Sequence, residues 1–258
     1  MAADFVFTPR VTAGIMDYKW EEGTGLNSDI DINGSISDLL PFLGVGITLS
    51  FGRMFIDGYI QDTREGRDSS SGTADEIIAP FTLNAIATPS IDRQDYSISA
   101  GYSINSNWSI LAGYKKSKQT FEIPRTPHVI ITPKDQFTNS LRGLGFEGNF
   151  KYKTKGPFIG VGYGRGIGKK GRLSANFALS HLNVDLESHY SLTGEGIAKP
   201  IVSSNSGSAT GMALGVKWQA PIVENLRYNV SLNGYKYDLN VLEERIISLQ
   251  ATLLYSWY

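Results

Sequence analysis

The sequence contains no cysteine and only three histidines among its 258 residues. Structural disulfides and thiolate metal sites are therefore excluded, while the cellular compartment stays open. It also lacks a surplus of charge of either sign, since 24 Lys and Arg stand against 25 Asp and Glu. Because the chain has no excess of positive charge to attract the phosphates of a nucleic acid, it is not expected to bind one.

Long apolar runs are also missing, because no segment approaches the roughly 18 residues that a helix needs to cross a bilayer. Any membrane crossing must come from strands, whose residues alternate with a period of two. The segment Met1–Asp4 has neither a basic stretch nor an apolar core, so we expect a signal peptide to have been removed. No linker or break in composition divides the chain, which predicts one domain over residues 1–258.

Apolar and polar residues do alternate, segment after segment. Near the start, Val11, Ala13 and Ile15 share one parity, and Arg10 and Thr12 share the other. Such a segment is typical of a strand with one apolar and one polar face. The same alternation recurs near residues 43–51, 54–61, 96–104, 108–115, 158–164, 172–180, 212–219, 227–233 and 247–257.

The segments are joined alternately by short turns and long polar stretches. Short turns are predicted near 51–53, 105–107, 168–171 and 220–225. Long loops are predicted near 21–40, 64–92, 123–155 and 188–209, with a shorter one near 238–244. This asymmetry predicts an all-β, antiparallel up-and-down barrel of about ten strands, with short periplasmic turns and long extracellular loops. Eight or twelve strands are also compatible, since 77–88 and 137–153 can each hold another hairpin.

A transmembrane barrel and a soluble barrel share this alternation, and two further features favour the transmembrane form. The polar parity is rich in Gly, Ser, Thr and Asn, which suits a crowded lumen better than a surface facing water. Aromatic residues also concentrate at strand ends, as interfacial girdles require. These girdle candidates are Tyr18, Trp20, Tyr114, Trp218, Tyr228, Tyr255 and Trp257.

The last segment, Ile247–Tyr258, alternates apolar residues and finishes on aromatic ones. It resembles the terminal strand of bacterial outer-membrane β-barrel proteins, such as small porin-like or OmpA-type barrels. The resemblance implies a location in the bacterial outer membrane of a Gram-negative cell. It also implies contact with the lipid bilayer and lipopolysaccharide, and with the barrel-assembly machinery during insertion.

Charged and amide residues on the polar parity are the candidate lumen residues. They are Arg10, Asp57, Lys115, Arg172, Lys217, Arg227, Asn229 and Asn233. Because cations outnumber carboxylates in this set, an open interior would favour anions. The alternative is that these side chains fill the barrel and close it, since small barrels have packed lumens.

The histidines offer little for catalysis. His181 neighbours Ser180, but adjacent strand residues point to opposite faces, so the two side chains are not expected to meet. His189 is predicted to be a solvated loop residue. Arg125 and His128 lie in a stretch stiffened by two prolines, which either forms an external hairpin tip or constricts the barrel mouth.

The leading functional hypothesis is therefore a non-enzymatic outer-membrane barrel that provides a narrow, anion-favouring channel or binding pocket for small solutes. A surface interaction or structural protein acting through its loops is the first alternative, and an outer-membrane lipid hydrolase or protease the second. No cofactor or metal is expected, because the acidic run at Asp29 and Asp31 lacks the later ligands of a calcium loop.

Overall fold

The computed structural model describes residues 5–22, 30–63, 72–78, 81–87, 90–126, 129–133, 145–194, 197–239 and 242–257. The strands are β1 (Phe5–Glu22), β2 (Ile30–Phe51), β3 (Met54–Thr63), β4 (Gly72–Ile78), β5 (Phe81–Ala87), β6 (Ser90–Ser103), β7 (Trp108–Thr126), β8 (Val129–Pro133), β9 (Gly145–Gly166), β10 (Arg172–Gly194), β11 (Ile197–Pro221), β12 (Leu226–Leu239) and β13 (Leu242–Tyr255). No helix in this part of the chain is long and apolar enough to span a membrane.

Within the described residues, ten strands close into an antiparallel barrel. Their order around the barrel is β1, β2, β3, β6, β7, β9, β10, β11, β12 and β13. β1 closes the sheet because it pairs with β2 on one side and β13 on the other, so that Val11 lies opposite both Val45 and Leu253. The predicted up-and-down barrel is confirmed.

Tight turns gather at one end of the barrel, which we call the turn end. The β2–β3 turn uses Gly52 at φ 57°, and the β9–β10 turn uses Gly168 at φ 54°. Glycine adopts these left-handed conformations without the clash that a Cβ would cause. Both ends of the described chain also lie there, since Phe7 and Trp257 exchange backbone hydrogen bonds of 3.0 and 2.9 Å. The turns predicted from the sequence are confirmed.

At the opposite end, the loop end, strands continue into segments that the sequence assigned to loops. β10 has 23 residues and β11 has 25, and they pair along almost their whole length. A membrane crossing needs only about 9–11 residues per strand, so this hairpin extends well beyond one. β4 and β5 form the extra hairpin considered near 77–88, but they extend the sheet from the start of β2, with β8 added at their edge. The hairpin therefore adds no membrane crossing.

Side chains on the outer surface of the barrel are apolar and those on the inner surface are largely polar. Leu214 and Leu253 are 60% and 53% exposed, whereas Thr252 and Ser248 are buried. This distribution is the reverse of that in a soluble barrel, and it matches a sheet surrounded by lipid.

Most of the predicted girdle residues lie on that outer surface. Tyr114, Tyr228, Tyr255 and Trp257 are exposed there, and Trp218 is half-buried on the same face. The prediction for Trp20, and with it Tyr18, is wrong, because both side chains are buried inside the barrel. The two residues continue the parity of Arg10 and Thr12, and parity, not position near a strand end, decides which face a side chain occupies.

Inside the loop-end half of the barrel, large apolar side chains form a packed cluster, which we call the interior plug. The Trp20 ring lies 6.0 Å from that of Phe121 and 5.2 Å from that of Phe150, measured between centroids. Every barrel strand except β3 contributes at least one described buried apolar residue. The plug comprises Met16, Tyr18, Trp20, Leu40, Phe42, Ile91, Phe121, Phe150, Tyr152, Leu182, Val184, Ala209, Tyr237 and Ile246.

A buried charge network lies against the plug. Arg93 donates from Nη1 to Glu244 Oε1 at 2.5 Å and from Nε to Asp95 Oδ2 at 2.8 Å. Gln119 donates to the same Glu244 oxygen at 2.7 Å and accepts a hydrogen bond from the Tyr18 hydroxyl. Because unpaired charges are costly away from water, these groups depend on one another for their hydrogen bonds.

A lysine substituted on the outer surface tests whether that surface faces lipid. We expect Leu214→Lys to lower the free energy of unfolding by about 2–4 kcal/mol, because a lysine near mid-membrane loses its hydration. Ala213→Lys is the matched control, since Ala213 precedes Leu214 on β11 and faces the interior; its cost should be clearly smaller. Urea unfolding of the barrel from lipid vesicles measures both. Equal losses would contradict the assignment.

Removal of the buried cation tests the charge network. Arg93→Met leaves Asp95 and Glu244 without their cation, and we expect a loss of about 3–5 kcal/mol in unfolding free energy. Arg245→Met is the control, because Arg245 pairs with Glu243 on the exposed outer face and such pairs contribute about 0–1 kcal/mol. The same urea unfolding assay compares them, and similar losses would show that the network adds little.

Candidate functional site

Between the interior plug and the turn end, the barrel encloses a cavity of about 470 Å³. This volume falls within the range of about 300–1,000 Å³ that is common for small-molecule sites. Its wall combines polar side chains, such as Lys217 and Asn229, with apolar or aromatic ones, such as Ile246 and Tyr235.

One wall of the cavity carries an ion pair with two parallel hydrogen bonds. Arg10 donates to both carboxylate oxygens of Asp57, at 2.6 and 2.8 Å, and Thr48 donates to Asp57 at 2.6 Å. Three neighbouring strands, β1, β2 and β3, supply these residues. The two parallel hydrogen bonds hold the guanidinium in place, and the Asp57 carboxylate neutralises its charge.

Lysine 115 is also engaged within the protein. Its Nζ donates to the Tyr237 hydroxyl at 2.6 Å and lies 4.2 Å from the centre of the Tyr237 ring. The carboxylates of Glu244 and Asp95 act on it electrostatically. Lys115 therefore belongs with the buried charge network as well as with the cavity wall.

Lys217 forms neither an ion pair nor a side-chain hydrogen bond with any described residue, whereas Arg10 pairs with Asp57 and Lys115 donates to Tyr237. It lies opposite Ser231 in the pairing of β11 with β12, and Asn229 follows on the same inner face. The Asn229 Oδ1 and Ser231 Oγ atoms are buried and have no protein partner. Buried polar atoms are normally hydrogen-bonded. These two atoms are therefore available to hydrogen-bond with a polar group of a bound solute.

Gly215 gives two asparagines room beside Lys217. It lies between Asn176 on β10 and Asn233 on β12, and a Cβ there would come within 2.4 and 2.6 Å of their Oδ1 atoms. Any larger residue at this position would displace both amides. The glycine therefore keeps two amide side chains close together on the inner wall.

The structure brings together some of the predicted lumen residues and separates others. Arg10, Asp57, Lys115, Lys217 and Asn229 line the cavity. The others do not belong to its lining. Arg172 is exposed at the turn end, where it donates to the Ser106 carbonyl at 2.9 Å. Arg227 lies near the same end, and Asn233 lies beside Gly215.

The sequence analysis did not identify the inward-pointing residues Arg93 and Asp95, which lie on β6 between Tyr96 and the loop end. Arg93 and Asp95 share the parity of Ser97 and Ser99, so extending the strand pattern past Tyr96 would have placed them inside. The pattern gives no hint of their partner Glu244, because β13 and β6 are not neighbours in the sheet. The contact exists only after the barrel has closed.

The histidines lie away from the cavity. His181 and His189 are exposed on the outer face of β10, while Ser180 faces inward and donates to the Gly211 carbonyl. His128 lies outside the described residues, and Arg125 lies near the end of β7, where no side chain is described. The mouth constriction expected from these two residues stays a prediction. Among the described residues, no group of three or more acidic or histidine side chains could hold a metal ion.

No protein-family model and no curated protein matches the sequence. Among solved structures, the outer membrane protease OmpT from Escherichia coli aligns over 98% of this chain and 97% of its own, with a TM-score of 0.71 and 11% identity. The translocator domain of the autotransporter NalP from Neisseria meningitidis aligns over 95% and 87%, with a TM-score of 0.46 and 8% identity. The attachment invasion locus protein Ail of Yersinia pestis aligns over 96% and 99%, with a TM-score of 0.36 and 10% identity.

At 11% identity the similarity to OmpT concerns the fold alone. That fold is a closed ten-stranded antiparallel barrel, and the apolar outer band described above gives it a surface for lipid. Fold and surface together are those of a β-barrel that spans a membrane.

Proposed function

We propose that this barrel is a non-enzymatic outer-membrane protein that binds small anionic solutes in the cavity between the plug and the turn end. The observation that carries the proposal is Lys217, a cavity cation without a carboxylate partner among the described residues, beside polar atoms that lack hydrogen bonds. A carboxylate or phosphate oxygen would pair with the Lys217 ammonium and accept a hydrogen bond from the Ser231 hydroxyl.

The charges around the cavity favour an anion. Arg10, Arg93, Lys115 and Lys217 stand against Asp57, Asp95 and Glu244, which leaves one positive charge in excess. Asp57 pairs with Arg10, while Asp95 and Glu244 surround Arg93 and act on Lys115. Of these four cations, Lys217 is the one without an ion pair or hydrogen bond among the described residues. In a low-dielectric wall such a charge attracts anions strongly.

The interior plug favours a pocket over the open channel considered from the sequence. Trp20, Phe121 and Phe150 pack ring against ring across the loop-end half of the barrel. Apolar side chains packed at contact distance leave no water-filled route between them. In this proposal a solute enters from the turn end and binds beneath the plug.

A surface interaction protein is the second candidate, favoured by the paired strands that extend beyond the membrane band. The β10–β11 hairpin and the β4–β5–β8 sheet present a broad β-surface at the loop end. Deleting the β4–β5 hairpin separates the candidates, because it would abolish contact with a surface partner and leave binding in the cavity unchanged.

Planar-bilayer recording tests whether the barrel is closed. We expect the wild-type protein to give no sustained conductance in potassium chloride, since the plug blocks the interior. Trp20→Ala should open measurable conductance, because it removes the largest of the three rings that pack together there and leaves a cavity. Trp257→Ala is the control, as that ring lies on the outer surface. Steady wild-type conductance would refute the closed pocket.

Titration calorimetry of the detergent-folded protein tests anion binding, with benzoate as the probe and benzamide as its neutral analogue. We expect Lys217→Gln to weaken benzoate binding about tenfold or more, because a charged hydrogen bond contributes about 1.5–3 kcal/mol. Benzamide binding should not change. Lys236→Gln, an outward substitution near Glu243, should leave both affinities as they are. Equal benzoate affinity in wild type and Lys217→Gln would overturn the proposal.

A further inference from the structure

The wall of the cavity changes from polar to apolar along the barrel axis, and the strand register shows where. In the pairing of β11 with β12, Lys217 lies opposite Ser231, and Ala213 lies opposite Tyr235. On β13, Ile246 continues the second of these rows, because it lies opposite Tyr235. All five residues line the cavity. The row nearer the turn end is therefore polar, and the row nearer the plug is apolar.

The interior plug supplies the apolar end of the cavity. Met16 and Ile246 belong to the plug and also line the cavity. Tyr235 packs against the plug but is only half-buried. Because Tyr235 stands on the inner face of a closed barrel and lines the cavity, its remaining accessible surface faces the cavity. Apolar surface of this kind gains stability when an apolar group covers it.

Two alanines leave space beside the Tyr235 ring. Ala213 lies between Tyr235 on β12 and Ala178 on β10. Both alanines line the cavity and are half-buried. We call the four residues Ala178, Ala213, Tyr235 and Ile246 the apolar recess. A planar ring suits this recess, because small side chains allow it to lie flat and aromatic rings pair favourably in offset or edge-on contact.

The apolar recess and the cation lie on the same inner face of β11. Ala213 and Lys217 are four residues apart, which is about 13 Å at the rise of a strand. Gly215 stands between them and has no side chain, and the Asn176 amide lies close to it at the cavity wall. The long Lys217 side chain spans part of this distance. A solute with an anionic group at one end and a ring at the other can contact both.

We infer that the cavity selects carboxylates that carry an aromatic ring, with the carboxylate at Lys217 and Ser231 and the ring in the apolar recess. The inference rests on the proposed function, because Lys217 must first hold an anion. Acetate or inorganic phosphate would occupy only the polar end and leave the recess uncovered. An aromatic acid removes both the ring and the recess from water, so it gains binding free energy that the smaller anions do not.

Saturation-transfer NMR titration of the detergent-folded wild-type protein tests this selectivity, with benzoate and acetate as probes and empty micelles as the blank. We expect benzoate to bind at least about tenfold more tightly than acetate, because only benzoate buries a ring. Equal affinities for the two probes would overturn the inference and leave the proposed anion site standing. Absence of saturable binding by either probe would overturn both.

A substitution that fills the apolar recess locates the ring. We expect Ala213→Leu to weaken benzoate binding about tenfold more than acetate binding, because the larger side chain occupies the space of the ring. Lys217→Gln should weaken both probes, which separates the charge from the recess. Ala175→Leu makes the same change on the outer face of β10, where Ala175 is exposed, and both affinities should stay within about twofold of wild type.

The Ala213→Leu result decides whether the recess holds the ring. Equal weakening of benzoate and acetate would indicate a general disturbance of the cavity and would overturn the assignment of the recess. Unchanged benzoate binding would overturn it as well. In either case Lys217→Gln still reports on the proposed anion site by itself, because its effect does not depend on the ring.

Discussion

The backbone hydrogen bonds that close β1 onto both β2 and β13 are the constraint on which the rest of this structure depends. A strand edge left open in hydrocarbon would expose peptide groups with no water to bind them. Closure removes that edge, and it divides every strand into an outward and an inward row of side chains. The lipid band occupies the outward row, and the plug and the cavity occupy the inward row.

Closure also explains why the interior can hold charges that a membrane surface cannot. Arg93 on β6 meets Glu244 on β13 across the barrel, and Tyr18 and Gln119 complete their hydrogen bonds. These groups rest against apolar rings, so water is scarce around them and the pairing must be complete. The loop-end half thus resembles the core of a soluble protein, whereas the turn-end half keeps open volume around Lys217.

Lys217 points inward and is a cation that no described carboxylate pairs with. Its low-dielectric surroundings make this charge far more consequential than the many paired charges of the outer rim.

The sequence by itself determined the barrel, its tight turns and the inner position of Arg10, Asp57, Lys115 and Lys217, because a period of two assigns each residue to a face. It did not determine where along the barrel the interior is filled. Trp20 was placed outside because its position near a strand end was used instead of its parity, which it shares with Arg10 and Thr12. Which residues meet across the lumen depends on strand number, stagger and closure, and no local pattern encodes these. The Arg93–Glu244 contact, the plug and the cavity beneath it were therefore decided only by the tertiary structure.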